Sequence, residues 1–154
     1  MALRYILLAV LLTVVTGVIL LIFGGGRDPG FADADNPELV ALGSEIYGVH
    51  CAACHGADLE GQPNWQRRGP DGKLPAPPHD ETGHTWHHSD AQNFQVTKLG
   101  TEALAPAGYK SDMIGFDGIL SDREIWAALA YIKSRWPVEI RRRHAAMTDQ
   151  RPNR

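Results

Sequence analysis

The residues whose types and spacing ask for a particular chemistry are Cys51, Cys54 and His55, in the run Cys51-Ala52-Ala53-Cys54-His55. Two thiols separated by two residues and followed at once by an imidazole form the attachment pattern of a c-type haem. Each thiol adds to a vinyl group of the porphyrin, and the histidine is placed to ligate the iron. The spacing matters because one short turn then spans both vinyl positions. Two other chemistries share the C-x-x-C core. A redox dithiol belongs beside a βαβ pattern, which the flanks Ser44-Glu45-Ile46-Tyr47-Gly48 and His55-Gly56-Ala57-Asp58 do not suggest. A zinc site could recruit His84, His87 and His88, but at a separation from Cys54 far longer than in compact zinc fingers. The expectation is one covalent haem c, with both cysteines consumed and none left for a disulfide.

A low-spin haem needs a second axial ligand. Beyond the motif the chain offers Met113 and Met147. Met147 follows Pro137 in an arginine-rich stretch, which leaves Met113, in Tyr109-Lys110-Ser111-Asp112-Met113-Ile114-Gly115-Phe116. A thioether ligand raises the reduction potential relative to two histidines; the competing role for Met113 is packing in a core. The segment His84-Thr85-Trp86-His87-His88 is a second cluster. Trp86 or a histidine could hydrogen-bond a haem propionate. The three imidazoles could instead hold copper or zinc, compete with Met113 for the iron, or face solvent.

The elements that must position these residues read as helices. Asn36-Pro37-Glu38 is a helix start, with a capping side chain, a proline at the first turn and an acid at the positive end of the dipole. Leu39, Leu42 and Ile46 then line one face leading to Cys51, and Gly43 among them marks a close approach by another element. Ser121-Asp122-Arg123-Glu124 has the capping-box form, and Ile125, Leu129, Ile132 and Trp136 follow on one face up to Pro137. Ser89-Asp90-Ala91-Gln92 opens a shorter helix through Phe94 and Leu99 to Gly100. Residues 61–83 read as loop, and no alternating apolar run argues for a sheet. An all-α domain is expected.

From Tyr5 to Phe23 there is no charged residue. Nineteen helical residues rise about 28 Å, close to the thickness of a hydrocarbon core, whereas the apolar stretch of a signal peptide is usually shorter. Residues 1–26 are therefore expected to form an uncleaved transmembrane anchor, with Arg4 on the cytoplasmic side. Residues 27–35 read as a flexible linker, 36–137 as the folded domain, and 138–154 as a basic tail. The tail holds Arg141-Arg142-Arg143-His144, either solvated or set against anionic lipid or an acidic partner. Residues 28–140 carry 17 acidic and 8 basic side chains, a net of −9, while residues 141–154 carry a net of +4. An acidic body argues against nucleic acid as a partner.

Several of these residues stand in a familiar order: Gly43 and Tyr47 before Cys51, Cys54 and His55, then Tyr109, Ser111, Met113 and Phe116, then Leu120-Ser121-Asp122-x-Glu124-Ile125-Trp126 running into Ala130-Tyr131-Ile132-Lys133. In this order residues 36–137 resemble the class I c-type cytochromes, and among them the small membrane-anchored monohaem proteins of bacteria. The resemblance implies a helical domain around one haem, with His55 as proximal and Met113 as distal ligand. It implies that Gly43 and Tyr47 pack across the last helix near Ala130 and Tyr131, and that a carbonyl of Pro75, Pro77 or Pro78 orients His55. Ile114 stands where the family commonly has proline. The function implied is a single-electron carrier rather than an enzyme, held in the inner membrane with its haem domain in the periplasm and serving membrane-bound redox proteins. Two rival roles are an integral cytochrome subunit of a dehydrogenase or oxidase, with residues 61–88 as a docking element, and a haem-based gas sensor, which would need Met113 absent or labile.

Overall fold

The computed structural model describes Tyr5 and residues 29–149. The expected membrane anchor, apart from Tyr5, lies outside the described residues. Among those that are described, no helix is long and apolar enough to cross a membrane.

Helix α1 (Pro37–His50) starts where Asn36 Oδ1 accepts hydrogen bonds from the amides of Glu38 and Leu39, both at 3.1 Å. These are two of the donors that every helix start leaves without an internal partner. Helix α2 (Ala52–His55) follows directly and carries the end of the Cys-Ala-Ala-Cys-His run. A 3-10 turn (Thr85–His87) precedes α3 (Asp90–Leu99) and the single-turn α4 (Thr101–Leu104). Then come α5 (Asp122–Ser134) and α6 (Val138–Asp149). Both capping boxes foreseen in the sequence are formed: Ser89 with Gln92 opens α3, and Ser121 with Glu124 opens α5. No strand occurs among the described residues; one isolated bridge joins Asp117 and Leu120.

The core is built where α1 crosses α5. A Cβ placed on Gly43 would lie 1.9 Å from the carbonyl oxygen of Ala127 and 2.9 Å from Cβ of Tyr131, so only glycine allows this approach. Next to the crossing, the Tyr47 and Tyr131 rings meet with centroids 5.4 Å apart. Helix α5 buries more than its expected stripe. Ile125, Leu129, Ile132 and the following Trp136 are buried as the spacing required, and so are Trp126, Ala127, Ala128 and Ala130, because α3 covers a second side. There Phe94 stacks on Trp126 at 4.2 Å, while Lys133 pairs with Asp90 at 2.9 Å and Lys98 with Asp122 at 2.7 Å. Each large apolar side chain buried in this way contributes roughly 1.5–3 kcal/mol.

Two segments depart from the reading of the sequence. Over residues 32–35 the expected flexible linker is seated on the domain: Ala32 is buried in the core and Asp35 pairs with Arg141 at 2.9 Å. Much of the expected basic tail is helix α6, docked rather than solvated. Ile140 packs against the core. His144 is fully buried, with Nε2 3.0 Å from the His88 carbonyl and 3.4 Å from Asp90 Oδ1, and its ring edge-on to Trp136. Pro137 ends α5 and also starts α6, since its carbonyl accepts the first helical bond, from Arg141 N at 3.0 Å.

Candidate haem site

Cys51 caps α1 and leads into α2. Its amide donates to the Tyr47 carbonyl and its carbonyl accepts from the His55 amide, both at 2.9 Å. This single turn holds Cys51, Cys54 and His55 in register. Both cysteines are free thiols, Cys51 partly buried and Cys54 exposed. Burial, with Cys54 nearby, pushes the Cys51 thiol up to about 11. It is therefore a neutral thiol at physiological pH and not the low-pKa nucleophile of a redox dithiol.

His55 is buried, and its Nδ1 lies 2.8 Å from the Pro77 carbonyl oxygen. A carbonyl only accepts, so Nδ1 carries the proton and Nε2 keeps its lone pair, the arrangement a ligand nitrogen needs. Of the three candidate prolines the structure selects Pro77. Burial lowers the pKa of His55 against the opposing hydrogen bond, which keeps the ring neutral. The Tyr47 hydroxyl donates to the Gly56 carbonyl at 2.9 Å, tying the turn after His55 to α1. Burial also raises the pKa of that phenol, so the donor stays protonated.

A residue that sequence reasoning missed sits against this imidazole. His79 stacks on His55 with ring centroids 4.0 Å apart and lies edge-on to Tyr47. Its Nδ1 is 2.7 Å from Thr85 Oγ1, and its backbone is pinned on both sides, by the Leu59 carbonyl at 2.8 Å and by Trp136 Nε1 at 2.7 Å. Burial, followed by the neighbouring His55 and His84, holds it well below the ordinary histidine value. The one hint in the sequence was its place two residues after Pro77.

Met113 is partly buried and borders the same apolar cluster as Cys51, Ala52, Leu59 and Trp86. Its loop reaches the attachment turn through Phe116, whose ring is edge-on to His50 at 6.0 Å. The loop is held from several directions although Ile114 replaces a proline. Ser111 Oγ accepts from the Met113 amide at 3.1 Å, and Glu102 Oε1 accepts from the Ser111 amide at 2.8 Å. Phe116 and Asp117 donate to the last carbonyls of α3, those of Thr97 and Lys98. Gly100 and Gly115 let the two backbones touch, since a Cβ on Gly115 would come within 2.6 Å of Leu99. From the loop over residues 61–83, Arg68 lies over the Tyr109 ring at 5.0 Å and Lys73 pairs with Asp112.

The 84–88 cluster is not gathered into one centre. His84 lies between Trp65 and His88, while His87 stacks on Trp86 at 3.7 Å. Among the described residues no three histidines, cysteines or carboxylates converge as a metal site. Trp86 Nε1 donates to the Glu81 carbonyl at 3.3 Å. A cavity of about 360 Å³ lies elsewhere, between residues 31–35 and α6.

Two thiols on one turn, an imidazole with its outer nitrogen fixed, and a thioether beside the same apolar cluster together fit a covalent haem. The family model for cytochrome c matches residues 40–136, from within α1 to the last buried tryptophan after α5. Searches of curated proteins and of solved structures found no significant match. The match spans more than half of the chain and covers Cys51, Cys54, His55, Pro77, His79 and Met113: the chain belongs to the cytochrome c family, whose members carry a covalently bound c-type haem and transfer electrons.

Proposed function

We propose that Cys51 and Cys54 carry the haem through thioether bonds, that His55 and Met113 are its axial ligands, and that the protein is a membrane-tethered single-electron carrier with its haem domain in the periplasm. The observation that carries the reading is the bond between His55 Nδ1 and the Pro77 carbonyl, which fixes both the tautomer and the plane of the ring. Haem c supplies a one-electron ferric/ferrous couple. Around it, the chain's residues keep coordination closed and exclude water. His55 presents a neutral nitrogen, the ties on residues 109–117 hold Met113 in place, and Leu59, Phe116 and Leu120 supply an apolar, low-dielectric wall. A ligand loop tied to α3, α4 and the 61–83 loop favours a carrier over a gas sensor, which would need the methionine to leave readily. Tethering and export rest on the uncharged run from Tyr5 to Phe23. An acidic body favours redox partners that present positive charge.

The test is the optical spectrum of the haem-loaded protein. A weak near-infrared sulfur-to-iron band and no uptake of carbon monoxide are expected, with both features reversed in Met113→Ala. A native protein that binds carbon monoxide readily would overturn the ligand assignment.

A further inference from the structure

The cavity under α6 and the exposed residues around it were not used by the haem site. Its floor is apolar, formed partly by Ala32, Ala34 and Ala145, and Phe31 and Val138 stand beside it 52% and 55% exposed. Together with Ala145 they give one rim an exposed apolar strip. The other rim is cationic. Arg141 gives one nitrogen to Asp35 while its Nε is buried, and Arg142 is exposed with no ion pair among the described residues. Asp33 and Asp35 also line the cavity, Asp35 being paired with Arg141, so three cations, Lys133, Arg141 and Arg142, stand against two carboxylates there, on a molecule whose remaining body is acidic.

Its position in the chain says what faces it. Phe31 stands where the chain enters the described domain, and only residues 24–28 separate Pro29 from the last residue of the apolar run, Phe23. Six extended residues reach at most about 20 Å, so a bilayer holding residues 5–23 lies within that distance of Pro29. Because residues 32–35 are fixed to α6 by Ala32 and by the Asp35–Arg141 pair, the short tether also limits how far the domain can turn away.

We infer that the face formed by Phe31, Val138, Arg141 and Arg142 docks on the anionic phospholipid surface of the membrane that anchors the chain. Phe31 and Val138 enter the boundary of the headgroups, while the exposed guanidinium of Arg142 meets lipid phosphate. The domain is then held at a set angle, with the haem presented to membrane partners in one orientation. This rests on the reading of residues 5–23 as a bilayer anchor.

The test uses the full-length, haem-loaded protein in nanodiscs of phosphatidylcholine alone or with anionic phosphatidylglycerol. Hydrogen exchange is followed over residues 138–146, and linear dichroism of the haem in oriented bilayers of the same lipids. Anionic lipid is expected to slow exchange in α6 by about tenfold, with no change in α5, and to give the haem a defined tilt. Arg142→Glu and Phe31→Ser should each remove both effects while leaving the haem spectrum unchanged. Equal exchange in the two lipids together with a disordered haem would overturn the docking, even with the anchor in place. A chain that washes from the bilayer in alkaline carbonate would remove the anchor, and the docking with it.

Discussion

His55 divides its two nitrogens between two tasks, and the division is made by a residue far along the chain. The Pro77 carbonyl takes the proton of Nδ1, and His79, two positions later, packs its ring on the same imidazole. The motif residues were legible because covalent attachment fixes both their types and their spacing. His79 was not, because stacking on another ring imposes no spacing in the sequence. For the same reason Pro77 could not be chosen over Pro75 or Pro78 until the fold brought one carbonyl to the ring. Met113 was singled out in the sequence, but what holds its loop was not. Lys73 and Arg68 reach it from another loop, and the Lys73 ammonium is raised above its ordinary pKa mainly by its hydrogen bond with Asp112. If Met113 is the distal ligand proposed above, added imidazole must displace it to bind ferric iron, and its affinity reports how often the loop opens. Lys73→Gln is expected to tighten imidazole binding by no more than about fivefold, since the pair is exposed. Added salt should do the same to the native protein and little to the variant; an unchanged affinity in both would mean that the other ties hold the loop without it.

At the scale of elements, helix starts were the most readable feature, since a cap is a local bargain among neighbouring residues. Ser121 and Glu124 make theirs as written: Ser121 N and Oγ donate to the Glu124 carboxylate at 2.8 and 2.7 Å. These bonds, the backbone one first, hold Glu124 below its ordinary value of 4.5. A carboxyl depressed in the folded state adds stability above its unfolded pKa and loses it as pH falls through the folded one. Glu124→Gln keeps an acceptor at this position, so the variant's denaturation midpoint should depend less on pH below about 4.5 than that of the native protein. Helix α6 was misread for a physical reason. Trp136-Pro137 reads as a stop in the sequence, but a proline that cannot continue one helix is well suited to begin the next. Ile140, His144 and Met147 at helical spacing were the available signal. The α1–α5 crossing invites a sharper test. Gly43→Ala drives a methyl group into the Ala127 carbonyl and should cost at least about 1–3 kcal/mol, seen as a lower denaturation midpoint.

For the whole molecule, the cytochrome c match ends at residue 136, yet the folded body continues through α6. His144 is the bolt of that extension. Its Nε2 faces two acceptors, the His88 carbonyl and Asp90, and so carries the proton; burial keeps the ring neutral by lowering its pKa. Asp90 also holds Lys133 of α5, so one buried carboxylate joins α3, α5 and α6. His144→Ala should destabilise the protein by roughly 1–3 kcal/mol and speed hydrogen exchange through α6 before it affects α5. Equal acceleration in both helices would show that α6 is no separate unit.

The α1–α5 crossing also sets an order of events during synthesis. The main core contact joins Gly43, near the start of the domain, to Ala127, near its end, and every residue needed for attachment lies between the two or inside α1. A chain made from its N-terminus presents Cys51, Cys54 and His55 well before α5 exists to close over them. Bringing the two ends of so long a loop together carries an entropic cost that only the α1–α5 contact repays. A chain cut short before Ser121 keeps both cysteines of the motif while losing the helix that packs across α1.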